Sequence, residues 1–425
     1  MTSGVAGASA ATRGVTSTPD DVAFRQHQQW GLLQAGFPAA WCRSTGAGAL
    51  IVVVDTGVDA SHPDLAGKVV GQARVQNGVV TTGPGTALDD AGHGTHVAGI
   101  AAAATDNRIG VAGAAPDASV YAVKVLFATA PGQPEQGSQS DLVQAIDFAA
   151  DSIAPSWPGP VVLNISIGAA DPSSGGTAVF DGSADIPGAL EHAYARGLAV
   201  ALAAGNAGTT PVGGAAVDDG HALSVGALDQ NGAVAPYSPT AGVSVFAAGG
   251  AASGDHRYVS TGIISTWPHS SSGDYAWMAG TSMAAPHVAA ALALLMSSGM
   301  SNAQAYARLL GTADAQRRMH VDLALGNTAP CGAAVAARPG AGAGTVRPAT
   351  PVRAAPAPAR RVAATSPAAA PVAARHVAVP ATGDAAPAAA RRGAWVTRVA
   401  LAVCGVLLLA LLAPRRRLLG RLLRA

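Results

Sequence analysis

The sequence predicts an α/β fold: a mostly parallel central sheet with helices on its faces. Three observations predict it. Apolar, β-branched runs of strand length recur along the chain, stretches of helical character separate them, and two of the runs, 49–54 and 198–203, are apolar at every position. A run without alternation is the mark of a strand buried on both faces, as in a parallel sheet. Strands alternating with helices imply right-handed crossovers, which gather functional groups at the carboxyl ends of the strands.

In chain order, residues 1–19 are small and polar, lack the apolar core of a signal peptide, and read as a disordered arm. Order begins near Asp20. Trp30, Leu32, Leu33, Gly36, Phe37, Pro38 and Trp41 make a short amphipathic segment ending in a turn. The run 49–54 is continuously apolar and stops at Asp55, which predicts the first buried strand. Further strands are predicted at 120–126, 161–167, 198–203, 222–225 and 243–246, with helices at 97–104, 141–149, 186–196 and 288–296.

The net charge of +1 conceals two regions of opposite character. From Ala333 onward there are fourteen Arg and one acid, Asp384; the remainder carries 12 basic and 24 acidic residues. Ala, Pro, Gly and Arg dominate 328–394, a composition that forms an extended linker and no core. Residues 395–413 are then 19 residues, apolar apart from Thr397 and Arg398. At 1.5 Å per residue they reach roughly 28 Å, enough to cross a bilayer once Arg398 snorkels to the interface. Residues 414–425 form a basic tail, whose Arg cluster predicts a cytoplasmic C-terminus and the acidic domain outside the bacterial cell membrane. That topology needs an export signal, which the sequence does not show, and a tail-anchored protein facing the cytoplasm stays open. The Arg-rich region has neither the aromatic residues nor the fold of a nucleic-acid binder, so no nucleic-acid partner is expected.

Three cysteines are too few for a disulfide scaffold, and their spacing fits no zinc site. Cys42 and Cys331 flank the acidic region. A bond between them, which would require export, and two free thiols both remain open.

Three motifs carry chemistry. Asp55-Thr56-Gly57 follows the first strand, where an acid can orient a histidine, although the same residues serve as turn chemistry. Gly92-His93-Gly94-Thr95-His96 opens a small-residue helix, and the glycines beside His93 let other backbone approach a general base. His96 reads as structural, since the acid of a zinc-protease helix motif is absent. Gly280-Thr281-Ser282-Met283-Ala284 leads into the last helix, so the Ser282 hydroxyl and N–H lie at the positive end of its dipole. His287 reads as a core residue.

From about Asp20 to Asp322 these motifs, in the order Asp, His, Ser, resemble the subtilisin-like serine peptidases, the subtilase family. The resemblance implies a three-layer subtilisin-like fold over 20–327. It also implies a serine endopeptidase acting on peptides or proteins through Asp55, His93 and Ser282. The segment Ala203-Ala204-Gly205-Asn206 resembles the family's oxyanion segment, with Asn206 as side-chain donor beside the Ser282 N–H. Ser166, Ile167 and Gly168 match one wall of the S1 pocket and Ala203, Ala204 and Gly205 the facing wall. No cofactor is required for the chemistry. A structural calcium ion is implied by Thr105-Asp106-Asn107-Arg108-Ile109-Gly110 with Asp64, the ligands being Asp64, Asp106 and Asn107. Arg108 departs from the family's small polar residue. The tethered layout is similar to that of mycosins, the membrane-anchored subtilases of actinobacterial type VII secretion. The competing reading is an inactive subtilase domain used as a membrane-tethered binding module. Nothing in the sequence sets the oligomeric state.

Overall fold

The computed structural model describes residues 18–128, 135–167, 184–208, 219–251, 261–269 and 274–326. The arm up to residue 17, Gly168, Cys331, Cys404 and everything after Gly326, including the linker, span and tail read from the sequence, lie outside these residues. The chain divides into units Met1–Pro339 and Gly340–Ala425, and all described residues belong to the first.

Three short helices open the domain: α1 (Val22–Arg25), α2 (Trp30–Gln34) and α3 (Phe37–Ala40). Then come β1 (Leu50–Asp55), the hairpin β2 (Val69–Gln76) and β3 (Val79–Thr82), and α4 (His93–Ala102). The chain continues through β4 (Ser119–Lys124), α5 (Gln139–Phe148), α6 (Ala154–Ser156), β5 (Val161–Ile165), α7 (Ile186–Ala195) and β6 (Ala199–Ala203). The last elements are β7 (Leu223–Leu228), β8 (Val245–Ala248), a second hairpin β9 (Ile263–Thr266) and β10 (Tyr275–Met278), α8 (Thr281–Ser297), α9 (Asn302–Thr312) and α10 (Val321–Ala324).

Eight strands form one sheet in the order β3-β2-β4-β1-β5-β6-β7-β8. Among the described residues of this sheet, only the β2–β3 pair is antiparallel. The sheet has a core on each face, and the alternation of β1 explains why its whole run is apolar. Ile51 and Val53 join the core that holds α4 and α8, whereas Leu50, Val52 and Val54 join the core that holds α5 and α7. This is a subtilisin-like α/β architecture of three layers. Alanine is abundant because α8 lies close to the sheet: Ala289, Ala290 and Ala293 of α8 share a core with Ala199, Ala201 and Ala203 of β6. Adding bulk between such close-packed surfaces costs about 1–3 kcal/mol.

The amphipathic segment 30–41 is two short helices with Gly36 in the left-handed region between them. Cys42 is disulfide-bonded, so it is not a free thiol. Among the described residues no single helix is long and apolar enough to cross a membrane.

Candidate active site

Asp55, at the carboxyl end of β1, is fully buried. Its Oδ1 accepts from the Thr56 N–H at 2.7 Å and lies 2.7 Å from His93 Nδ1, which donates to it. Oδ2 is buried with no partner among the described residues. Placing His93 there requires both neighbouring glycines. A Cβ on Gly94 would lie 2.1 Å from the Gly57 carbonyl oxygen. Gly92 has φ +97°, and a Cβ on it would lie 2.3 Å from the Trp267 ring. The His93 ring is 22% exposed. Burial by itself would lower its pKa; the Asp55 carboxylate, with Glu135 and Asp89 adding negative charge, outweighs burial and pushes it up to about 9.

One turn on, His96 does a different job. Its Nε2–H is shared between the Ile263 and Ala276 carbonyls at 3.1 Å each, which fastens the β9–β10 hairpin to α4. Burial pushes its pKa down to about 3, so it stays neutral, in keeping with a structural role. His287 is likewise buried, and its Nδ1–H donates to the Met283 carbonyl at 2.9 Å.

Ser282 is the second residue of α8, behind the extended Gly280. Pro286 lies four residues further on and has no N–H, so the Ser282 carbonyl lacks its helical donor. Ser166 supplies one: its Oγ donates to that carbonyl at 2.9 Å, and Ser282 Oγ donates back to the Ser166 carbonyl at 3.1 Å. Asn164 Nδ2 donates to Ser166 Oγ at 2.9 Å and completes this support.

Asn206 is oriented from the same helix end. Its Oδ1 accepts from the Thr281 N–H at 2.9 Å and from Thr281 Oγ1 at 3.1 Å, so Nδ2 is the side-chain group left to donate. Thr281 Oγ1 also accepts from the Gly205 N–H at 3.0 Å. Ser166 and Ile167 lie just past the end of β5 and are buried; Ala203 ends the adjacent strand β6, and Ala204 and Gly205 follow it. The two expected walls therefore stand side by side at the carboxyl edge of the sheet, with Gly168 outside the described residues.

The residues expected to hold calcium are arranged differently from the sequence reading. Asp64 and Asn107 bond each other, Asn107 Nδ2 donating to Asp64 Oδ1 at 2.7 Å, and Asp64 Oδ2 accepts from the Val111 N–H at 2.8 Å and the Tyr275 hydroxyl at 3.1 Å. Asp106 instead joins Asp20 and Asp21, with one carboxylate oxygen of each within 4.8 Å of the others. Asp21 is fully buried and its Oδ1 has no hydrogen-bond partner among the described residues. Its pKa is pushed up to about 6, chiefly by burial. Arg108 turns outward and pairs with Asp20 at 3.3 Å. Both Asp106 and Arg108 are left-handed, at φ 58° and 70°. Asp21 thus joins the cluster, a candidate residue that the sequence reading misses.

The comparisons with known proteins agree with this geometry. The model of the subtilase family matches residues 46–328. Thermitase of Thermoactinomyces vulgaris is 38% identical over 297 residues, which is 70% of this chain and 92% of thermitase. Subtilisin Savinase of Lederbergia lenta is 37% identical over 292 residues, 68% of this chain and 92% of that protein. A solved protease structure from Pseudoalteromonas arctica superposes with a TM-score of 0.59 at 27% identity, covering 73% of this chain and 99% of its own. With a family match over most of the chain and relatives aligned along nearly their whole length, the chain belongs to the subtilase family of serine endopeptidases.

Proposed function

We propose that Asp55, His93 and Ser282 are the catalytic triad of this endopeptidase. The observation that carries the proposal is the 2.7 Å contact of the buried Asp55 carboxylate with His93 Nδ1. That bond fixes the tautomer in which Nε2 is free to act as a base. Ser282 Oγ turns from the Ser166 carbonyl towards His93, gives its proton to Nε2 and attacks the peptide carbonyl carbon. Asp55 stabilises the imidazolium. The oxyanion is met by the Ser282 N–H at the start of α8 and by Asn206 Nδ2. His93 then returns the proton to the leaving amine, and water cleaves the acyl-enzyme by the same route in reverse. A fluorophosphonate probe should label wild-type protein at Ser282 and fail on Ser282→Ala; labelling that survives the substitution overturns the assignment.

Small side chains at Ala203, Ala204 and Gly205, with no charge on either wall, favour a large apolar P1 residue. Cleavage of a peptide library checks this, and a preference for charged P1 residues rejects it.

A structural calcium ion fits the acidic cluster, because Asp21 Oδ1 is buried without a hydrogen-bond partner among the described residues and the Asp20, Asp21 and Asp106 carboxylates, hard oxygen donors, each place an oxygen within 4.8 Å of the others. Bound there, the ion neutralises the carboxylates and ties the residues before α1 to the loop that follows α4.

The tether is the remaining part. Residues 395–413 span the membrane once, residues 328–394 hold the peptidase away from it, and the Arg-rich tail stays in the cytoplasm, a layout similar to that of mycosins. The disulfide at Cys42 favours an oxidising, external location for the peptidase. In a membrane fraction the full chain should resist extraction by high salt and dissolve in detergent, and protease added to intact cells should remove the catalytic domain. Release by salt rejects the span, and protection until lysis reverses the topology.

A further inference from the structure

Asp89 lies four residues before His93 and outside all three catalytic motifs, yet two chain segments converge on its carboxylate. Oδ1 accepts from Thr56 Oγ1 at 2.9 Å, the Ala91 N–H at 3.1 Å and the Gly92 N–H at 2.8 Å. Oδ2 accepts from the Thr95 N–H at 2.8 Å and Thr95 Oγ1 at 2.5 Å. Thr56 is the residue after Asp55, and Gly92 and Thr95 bracket His93. Thr56 Oγ1 closes the loop by accepting from the Gly94 N–H at 2.9 Å.

A second tie joins the same segments. Lys124, the register partner of Asp55 on β4, is buried, and its Nζ donates to the Thr56 carbonyl and, at 2.7 Å, to Asp90 Oδ1.

The direct link between Asp55 and His93 is one hydrogen bond across 38 positions of sequence, from a strand end to a helix start. Each could shift against the other by more than that bond tolerates. A carboxylate at position 89 accepts on both oxygens and so grips the two backbones at once. A carboxamide of the same shape cannot, because its NH₂ would face either Thr95 or the Thr56, Ala91 and Gly92 donors. We propose that Asp89 is the positioning residue that sets the separation of Asp55 and His93. The proposal rests on the triad described above.

The test uses Asp89→Asn and Thr56→Val, with Asp141→Asn as a control. Asp141 is also a buried carboxylate that ties two segments, accepting from the Asn77 and Gly78 N–H groups at 3.1 and 2.8 Å, but it does so at the β2–β3 turn near the sheet edge. Fluorophosphonate labelling of the wild type at Ser282 comes first, and its failure removes the triad reading itself. With labelling in hand, Asp89→Asn should lower kcat roughly 10- to 100-fold, the cost of misplacing a catalytic group by about an ångström, and Thr56→Val should lower it less. KM should stay within about twofold. Asp141→Asn should lower the melting temperature and leave kcat alone. The proposal is overturned if Asp89→Asn keeps kcat within about twofold of wild type, or if Asp141→Asn loses as much kcat as Asp89→Asn. Should Asp89→Asn fail to fold, Thr56→Val decides, and wild-type kcat in that variant overturns the proposal.

Discussion

The two helices that carry the proposed reacting groups, His93 and Ser282, start in contrasting ways. α4 begins at His93 behind a left-handed glycine, and its first turn is held by carboxylates, Asp55 on the imidazole and Asp89 on the backbone. α8 begins behind an extended glycine and is held by neutral groups, the Asn206 carboxamide on Thr281 and the Ser166 hydroxyl on the Ser282 carbonyl. The contrast follows from the charge each end must handle. In the proposed mechanism His93 becomes positive during turnover, so nearby carboxylates lower its energy. At α8 the same mechanism develops negative charge on the substrate, where a carboxylate would oppose it and a bare helix N-terminus with a neutral donor favours it.

The contrast can be broken most sharply at its neutral end. Ser282→Ala should reduce kcat by about 10⁶-fold in peptide hydrolysis while leaving the melting temperature near that of wild type. Asn206→Ala should cost roughly 10²–10³ in kcat with little change in KM. Asn206→Asp gives the α8 end the charge of the α4 end and should cost at least as much; a milder loss than in the alanine variant would mean that the two ends are not electrostatically distinct.

The charged end is sharpened by pH. His93 must be neutral to accept the Ser282 proton, and its raised pKa keeps it protonated to higher pH, so activity should rise with pH along a limb above the ordinary histidine value of 6.5. A limb at or below 6.5 in a kcat/KM profile would show that Asp55, Glu135 and Asp89 do not outweigh burial. The smallest effect lies away from both ends. Removing calcium with a chelator should lower the melting temperature by several degrees, since a ligand present at about 100 times its Kd adds about 2.7 kcal/mol, and kcat measured below that temperature should barely move. A melting curve indifferent to chelation argues against the ion.

The parts of the molecule legible in the sequence are those whose burial is complete. β1 is read almost to the residue because both faces are covered, and β5 to β8 are read for the same reason, with shifts at their ends where the chain turns into loops. The β2–β3 hairpin escapes because it sits at the sheet edge, half exposed, with Gly71, Gln72 and Arg74 breaking any apolar pattern. α9 escapes although its signal is present: Ser301 and Gln304 form a capping box ahead of the helix. Within the candidate site, Asp55, His93 and Ser282 are picked out in the sequence by the motif chemistry that surrounds them. Asp21 and Asp89 are not, because an aspartate in a loop reads as turn chemistry until the segments that converge on it are known in space. The Ser166–Ser282 exchange is of that kind too, since it depends on Pro286 removing a donor four residues away.

One property of α8 bears on how such an enzyme comes to exist. Every residue of this helix except Ser282 and Ser297 is buried, and it lies against both the sheet and α4. Ser282, the proposed nucleophile, therefore has no scaffold until the centre of the domain has closed around it. In the proposed mechanism a molecule of this enzyme can therefore cut nothing until that closure is complete.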